Sequence, residues 1–265
     1  MRNADGLLAL LTDRIDAELI ERSPRLRAIA NYAVGVDNID LDAARRRGIP
    51  VGNTPDVLTE ATADLAFALL LAAARRLPEA IADVEAGEWR TWEPGRWLGA
   101  EVHGAAIGII GYGRIGRAVA ERARGFAMRV LHTGPDGVPL ERLLAEADFV
   151  TLHCPLTPET RHLINAGALS LMKRSAILIN TARGPIVDQR ALVEALREGR
   201  IAGAALDVTD PEPPAPGDPL LDAPNLLVTP HIGSATRAAR ERMAQLAVEN
   251  LLAALDGQPM PHQVV

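Results

Sequence analysis

Short runs of β-branched and aliphatic residues recur along the chain, each closed by turn residues. Between them, apolar positions return every three or four residues. The runs predict strands at residues 7–11, 28–30, 107–110, 129–131, 149–153, 176–180, 204–206 and 226–228. The spaced stretches predict helices at 16–22, 41–47, 59–76, 114–125, 140–146, 165–172, 188–197 and 236–255. Such alternation is the signature of an α/β fold built on a doubly wound, parallel sheet. Residues 107–110 and 176–179 are apolar on both faces, as strands covered by helices on each side must be.

The alternation restarts in mid-chain. Residues 59–76 form a long stretch that is almost entirely apolar on one side, and 89–102 hold no clear period, so this part reads as a crossing between two lobes. The last helix is amphipathic and stops at Gly257; a chain that crosses back would pack it on the first lobe. Residues 210–216, Asp-Pro-Glu-Pro-Pro-Ala-Pro, lose so many backbone donors that they predict an exposed but stiff loop.

Composition narrows the function. With 265 residues the chain can bury a core without covalent staples, and its single cysteine, Cys154, excludes an internal disulfide and a cysteine-based metal cluster. No metal site is expected. Lys and Arg number 28 against 34 Asp and Glu, a net charge of −6, which argues against a nucleic-acid binder. The longest apolar run, Leu65 to Ala74, has ten residues, whereas a membrane span needs about 20. The start of the chain leads into Leu7-Leu8-Ala9-Leu10-Leu11 with no small-residue cleavage site, so the expected setting is soluble, reducing and cytoplasmic.

Residues 107–116 carry Gly111-x-Gly113-x-x-Gly116 directly after a strand and at the opening of a helix. Gly111 permits a tight turn, Gly113 lets the backbone approach a pyrophosphate, and Gly116 lets the helix lie close to the strand. The amides of Arg114 and Ile115 would then meet the phosphates at the positive end of the helix. An acid at the end of the next strand would select NAD, but that strand continues His132-Thr133-Gly134-Pro135-Asp136 and has glycine at the expected position. No arginine follows to grip a 2′-phosphate, and Asp136 could reach the ribose if the loop shifts. The residues lean modestly to NADP(H) over NAD(H).

Three further motifs follow the glycine loop: Asn180-Thr181-Ala182-Arg183-Gly184-Pro185-Ile186-Val187-Asp188, Asp207-Val208-Thr209-Asp210-Pro211-Glu212-Pro213, and Thr229-Pro230-His231-Ile232-Gly233-Ser234-Ala235-Thr236. Together the four motifs resemble those of the D-isomer-specific 2-hydroxyacid dehydrogenases, and the resemblance covers nearly the whole chain. Within that family the chain looks most like the glyoxylate/hydroxypyruvate reductase branch, on the tryptophans of 89–97, the strand end at 131–134 and the closing 257–261. The resemblance implies a Rossmann-type NAD(P)-binding domain over 55–235, with a dimerisation segment at 59–102. That domain is inserted into a smaller flavodoxin-like substrate domain over 1–54, to which 236–265 return. It also implies a strand and helix ahead of 7–11 that this sequence does not contain, so an incomplete first sheet with an exposed edge is expected.

Reducing a 2-oxo acid needs a cation for the carboxylate and an acid that protonates the oxygen as hydride arrives. Arg183 suits the first role, since a planar guanidinium grips a carboxylate with two parallel bonds. His231 suits the second because imidazole titrates near neutrality. Glu212 would hold the His231 tautomer and stabilise its imidazolium. The family gives these three residues those roles. It further implies substrate-carboxylate binding by the backbone of Val34 and Gly35. Cofactor contacts are implied at Thr59, Thr181 and Ala182, an adenosine wall at Pro155 and Thr160, a carboxamide partner in Asp207, and closure over the nicotinamide by Gly233. His132, His153 and His162 lack such context, and Cys154 has no base placed for it.

All three tryptophans, in a chain with two tyrosines and three phenylalanines, fall between Trp89 and Trp97. Rings of this size suit a homodimer interface. In the resembled branch the position of Trp97 reaches into the neighbouring subunit's active site, so Trp97 is expected to limit substrate size. The leading expectation is reduction of glyoxylate or hydroxypyruvate to glycolate or D-glycerate. Another D-2-hydroxy acid, such as phosphoglycerate, and a non-catalytic nucleotide-sensing role remain as alternatives.

Overall fold

The structure is a computed structural model, and it describes residues 3–265. Its elements run β1 (Gly6–Ala9), α1 (Ala17–Glu21), β2 (Ala28–Asn31), α2 (Leu41–Arg46), β3 (Val51–Gly52), α3 (Thr59–Ala74) and α4 (Leu77–Glu85). There follow β4 (Ala106–Ile110), α5 (Arg114–Gly125), β5 (Arg129–His132), α6 (Leu140–Glu146), β6 (Phe149–Leu152), α7 (Ala166–Leu171) and β7 (Ile177–Asn180). The chain ends with α8 (Gln189–Arg197), β8 (Gly203–Leu206), β9 (Leu226–Val228) and α9 (Arg237–Leu255). Several starts are set by side-chain caps: Asp16, Asp40, Asp188 and Thr236 each accept from an amide in the first turn of α1, α2, α8 and α9. The chain divides into two compact units, one made of the described residues through Ala61 together with Ser234–Val265, the other of Thr62–Gly233.

In the first unit β1, β2 and β3 form a parallel sheet in that order, with Leu8 opposite Ala30 and Ile29 opposite Val51. Ile15, Ile20, Leu26, Ile29, Ile39, Ile49 and Val51 make its core. Helix α9 packs on all three strands. Beyond it the chain runs antiparallel along β3, where the Val264 amide donates to Val51 at 2.7 Å and Val51 donates back to Val265 at 3.0 Å. The sequence pattern predicts no strand at β3, because two residues, one of them glycine, show no period.

The second unit holds a six-stranded, wholly parallel sheet in the order β5-β4-β6-β7-β8-β9. Strand residues alternate between two buried faces. Ile107, Ile109, Phe149, Ile177 and Ile179 meet Phe67 and Leu70 of α3 and Val119 and Ala123 of α5. Ile110, Val150, Leu152, Leu178 and Leu206 meet Leu143, Leu144, Leu169 and Leu192 from α6, α7 and α8. The order of strands reverses between β4 and β6, and in open α/β sheets the carboxyl ends at such a switch point are where ligands bind.

Many predicted boundaries shift by one residue, and two shift by two. Strand β1 stops at Ala9 rather than residue 11, because Leu10 opens a turn in which its carbonyl accepts from Asp13 N at 3.0 Å and its amide donates to the Asp13 carboxylate at 2.8 Å. Helix α3 stops at Ala74 rather than residue 76: Arg76 takes φ +52°, which breaks the helix and starts α4, an element the pattern does not predict. No helix among the described residues is long and apolar enough to cross a membrane.

Candidate active site

Every predicted site residue from Gly111 to Gly233 leaves the carboxyl end of a strand of the six-stranded sheet, and parallel strands bring those ends to one edge. The glycine loop joins β4 to α5. Gly111 has φ +93°, and a Cβ there would run into the backbone of His153 and Cys154 after β6, so only glycine fits. Its amide donates to Thr133 Oγ1 at 3.1 Å, which ties the loop to the end of β5. Gly113 is the N-cap of α5 and supplies no side chain to the first-turn amides, those of Arg114, Ile115 and Gly116. A Cβ on Gly113 would point into open space.

Beyond β5 the chain turns tightly through Gly134 at φ +112° and Asp136 at φ +61°, and Val138 N donates to His132 O at 2.8 Å. The His132 ring lies flat on that of Tyr112, with centroids 3.8 Å apart and planes 7° apart. After β6, the His153 ring bonds Thr151 Oγ1 at 2.8 Å, and its enclosure pushes its pKa down to about 3, so it stays neutral. Burial likewise pushes the Cys154 thiol up, away from thiolate chemistry. Thr160 is committed to its own loop: its hydroxyl donates to Pro155 O at 2.7 Å and accepts from Thr157 N at 2.7 Å.

After β7, the buried Asn180 fixes the turn that presents Arg183. Its side chain accepts from Ala182 N at 3.0 Å and donates to Arg183 O at 2.9 Å. Arg183 is half-buried, and its guanidinium donates to Ala182 O at 2.9 Å. Gly184 lies so close to the Thr209 carbonyl that no Cβ fits between them, which holds the loops after β7 and β8 together. Thr181 is buried, and its Oγ1 has no hydrogen-bond partner among the described residues.

Asp207 at the end of β8 is 1 % exposed and organises the loop after β9. Its carboxylate accepts from Thr229 Oγ1 at 2.6 Å, Ile232 N at 2.8 Å and Gly233 N at 2.7 Å, while its carbonyl accepts from His231 N at 2.9 Å. These bonds hold His231 at φ +53°, a left-handed conformation rare outside glycine. The His231 ring so directed meets Glu212, with Nδ1 to Oε1 at 2.5 Å, and both side chains are mostly shielded from solvent. Nδ1 is engaged by a carboxylate, so the other ring nitrogen, Nε2, is the one left to face a substrate.

Val34 and Gly35 belong to the other unit and follow β2. Their carbonyls accept from Asn53 at 2.8 Å and Asn31 at 2.7 Å, so two side chains that sequence reasoning did not single out hold this turn. Asn180 was missed in the same way. The available signal was an amide at the end of an apolar strand, a buried group that must find partners. Thr59 is the first residue of α3. Trp97, with φ +54°, donates from Nε1 to Asp83 at 3.1 Å on α4, with the Arg76 and Arg96 guanidinium carbons 5.1 and 5.8 Å from its ring centre.

A nicotinamide dinucleotide fits these residues. The uncapped amides of α5 suit a pyrophosphate, and the orphaned Thr181 hydroxyl awaits a partner at the same strand-end edge.

A family model described as D-isomer specific 2-hydroxyacid dehydrogenase, NAD binding domain, matches residues 67–233. A glyoxylate reductase of Korarchaeum cryptofilum is 53% identical over 277 residues, which span 100% of this chain and 83% of the relative. The crystal structure of the TT0316 protein from Thermus thermophilus superposes with a TM-score of 0.94 at 56% identity, over 100% of this chain and 87% of that one. An NADPH-dependent glyoxylate/hydroxypyruvate reductase from Sinorhizobium meliloti, in complex with NADP and malonate, gives a TM-score of 0.90 at 35% identity, over 100% of this chain and 85% of that one.

Proposed function

The chain belongs to the D-isomer specific 2-hydroxyacid dehydrogenase family, and from that premise we propose that it reduces glyoxylate or hydroxypyruvate to glycolate or D-glycerate. The observation that carries this reading is the His231–Glu212 pair on the strand-end edge that also bears Arg183. A nicotinamide held there would supply the hydride. Arg183 binds the substrate carboxylate, with the backbone of Val34 and Gly35 as further donors. His231 gives the proton from Nε2 to the carbonyl oxygen, and Glu212 stabilises the imidazolium from which it leaves. Relatives named glyoxylate reductase favour this reading over a phosphorylated acid or a nucleotide sensor.

The cofactor is a nicotinamide dinucleotide, NADP(H) in preference to NAD(H). Glycine at position 134 supports the finer statement, and a neighbour solved with NADP is consistent with it. Arg114, Ile115, Gly111, Gly113 and Gly116 cradle the pyrophosphate, Pro155 and Thr160 shape the adenosine pocket, and Thr59, Thr181, Ala182, Asp207 and Gly233 hold the nicotinamide half. The unit that ends at Ala61 and resumes at Ser234 forms the substrate domain, a boundary that moves residues 55–61 and 234–235 out of the dinucleotide domain expected from sequence, and Thr62–Gly233 forms the dinucleotide domain, with 59–102 joining two copies in a cytoplasmic homodimer. The test is the fall of nicotinamide absorbance when glyoxylate or hydroxypyruvate is added to protein with NADPH or NADH. Turnover that is faster with NADPH supports the whole reading. Cofactor binding without turnover overturns the enzymatic part.

A further inference from the structure

The end of β5 lacks both groups that ordinarily read the adenosine ribose. There is no carboxylate at Gly134, and no arginine follows within the tight turn through Asp136. A cation is nonetheless connected to this corner through one aromatic ring. Arg117, exposed on the first turns of α5, has its guanidinium carbon 5.8 Å from the centre of the Tyr112 ring. Tyr112 in turn lies flat on His132, the last residue of β5. The glycine loop, the start of α5 and the end of β5 are thus joined by a guanidinium, a phenol and an imidazole in contact.

We infer that this Arg117–Tyr112–His132 stack recognises the ribose 2′-phosphate of NADP(H), with Arg117 as the charged group. The inference rests on the dinucleotide reading above and names the residues behind its cofactor preference. Three features carry it. Thr133 Oγ1, the other polar side chain at the strand end, accepts from Gly111 N and brings no charge to the corner. A Cβ on Gly134 would meet nothing within 4 Å, so no side chain or backbone group closes that face of the turn. The flat Tyr112–His132 contact fixes the ring against which Arg117 rests, and a guanidinium held by an aromatic face keeps its N–H fork directed outward for bidentate contact with phosphate. Asp136, exposed in the same turn, is the opposing charge. Recognition therefore depends on which of the two the bound ribose meets, and a 2′-phosphate favours the cation.

Calorimetric titration with adenosine 2′,5′-bisphosphate and with 5′-AMP tests this without turnover. The wild-type protein is expected to bind the bisphosphate at least tenfold more tightly than 5′-AMP. Arg117→Gln removes most of that ratio while leaving 5′-AMP within about twofold, and Arg117→Lys restores part of it. A wild-type protein that binds both nucleotides equally overturns the NADP(H) preference itself. A wild-type preference that survives Arg117→Gln overturns the role of Arg117 alone, as does an equal loss for both nucleotides.

Discussion

His231 Nδ1 and Glu212 Oε1 lie 2.5 Å apart although nineteen residues separate them, because Asp207 takes the loop after β9 and folds it back on the loop after β8. The backbone strain of His231 at φ +53° is held by bonds that converge on one buried residue, Asp207, through both its carboxylate and its carbonyl. Removing the proton donor by His231→Ala should lower kcat by about 10²–10⁴ while cofactor affinity stays within a few-fold. Glu212→Gln keeps a hydrogen-bond partner but removes the charge, and should cost less than His231→Ala. Steady-state rates paired with a binding titration check both. A Glu212→Gln enzyme as impaired as His231→Ala would mean that the carboxylate does more than orient and stabilise the ring.

Arg183→Lys should show that charge alone is insufficient. Lysine keeps the cation but loses the planar fork that pairs with a carboxylate. Losing one charge-assisted bond of about 1.5–3 kcal/mol predicts a fall in kcat/KM of about tenfold to a hundredfold or more. Because the substrate carboxylate is bound before and during reaction, most of the fall should appear in KM. A change confined to kcat would instead assign Arg183 to the transition state.

Much of this site was legible in the sequence, and the parts that were not share a physical cause. Gly111, Gly113 and Gly116 announce themselves because a strand runs into them and a helix leaves. The strand ends bearing Arg183 and Asp207 follow long apolar runs. By contrast, β3 is two residues long, and α4 hides behind Arg76, whose left-handed backbone no pattern of polarity reveals. Asn180, Asn31 and Asn53 act through backbone groups of their neighbours, so their importance depends on turns that exist only after folding. Trp97 was visible as an unusual residue, but its bond to Asp83 could not be seen without α4.

Gly111→Ala should damage the molecule at the loop rather than in the core. A residue with a Cβ is strained at φ +93°, by about 1–3 kcal/mol, and its methyl group would press on the backbone of His153 and Cys154. The expected result is a lower midpoint of thermal unfolding with a larger loss of dinucleotide affinity, since the amides of α5 are displaced with the loop. Unchanged affinity in a destabilised protein would separate the turn from the phosphate site.

Acid should loosen the opposite edge of the large sheet. Burial acts to raise the Asp148 carboxyl, but the Lys173 ammonium at 2.7 Å and the Ala106 amide at 2.9 Å outweigh it and hold the group below its ordinary value. Asp148 also accepts from Ile177 N through its carbonyl, so it ties together the starts of β4, β6 and β7. A depressed folded-state value stabilises the fold fully above the unfolded carboxyl's pKa of about 4, and the gain is lost as pH falls through the folded-state value. Asp148→Asn should therefore be less stable by about 1–2 kcal/mol at neutral pH. The gap in unfolding midpoint between variant and wild type should close below about pH 4. A gap constant down to pH 2 would mean that geometry rather than charge holds the edge.

The surface around α4 predicts both an assembly and a selectivity. Ile81 and Val84 on this helix are exposed, as are Leu98, Trp89 at 65 % and Trp92 at 79 %, and so many large apolar side chains exposed within one short stretch of chain mark an interaction surface. Light scattering should give twice the mass of one chain, and Ile81→Glu with Trp92→Glu should give monomers that remain folded. Trp97 lies beside this surface, its indole fixed by Asp83 and flanked by Arg76 and Arg96. If it bounds the substrate space of a neighbouring subunit, Trp97→Ala should raise kcat/KM for larger 2-oxo acids relative to glyoxylate by several-fold in the dimer, and the monomeric double variant should lose the same discrimination. An unchanged ratio in Trp97→Ala, with the dimer intact, would confine Trp97 to anchoring its own loop on α4.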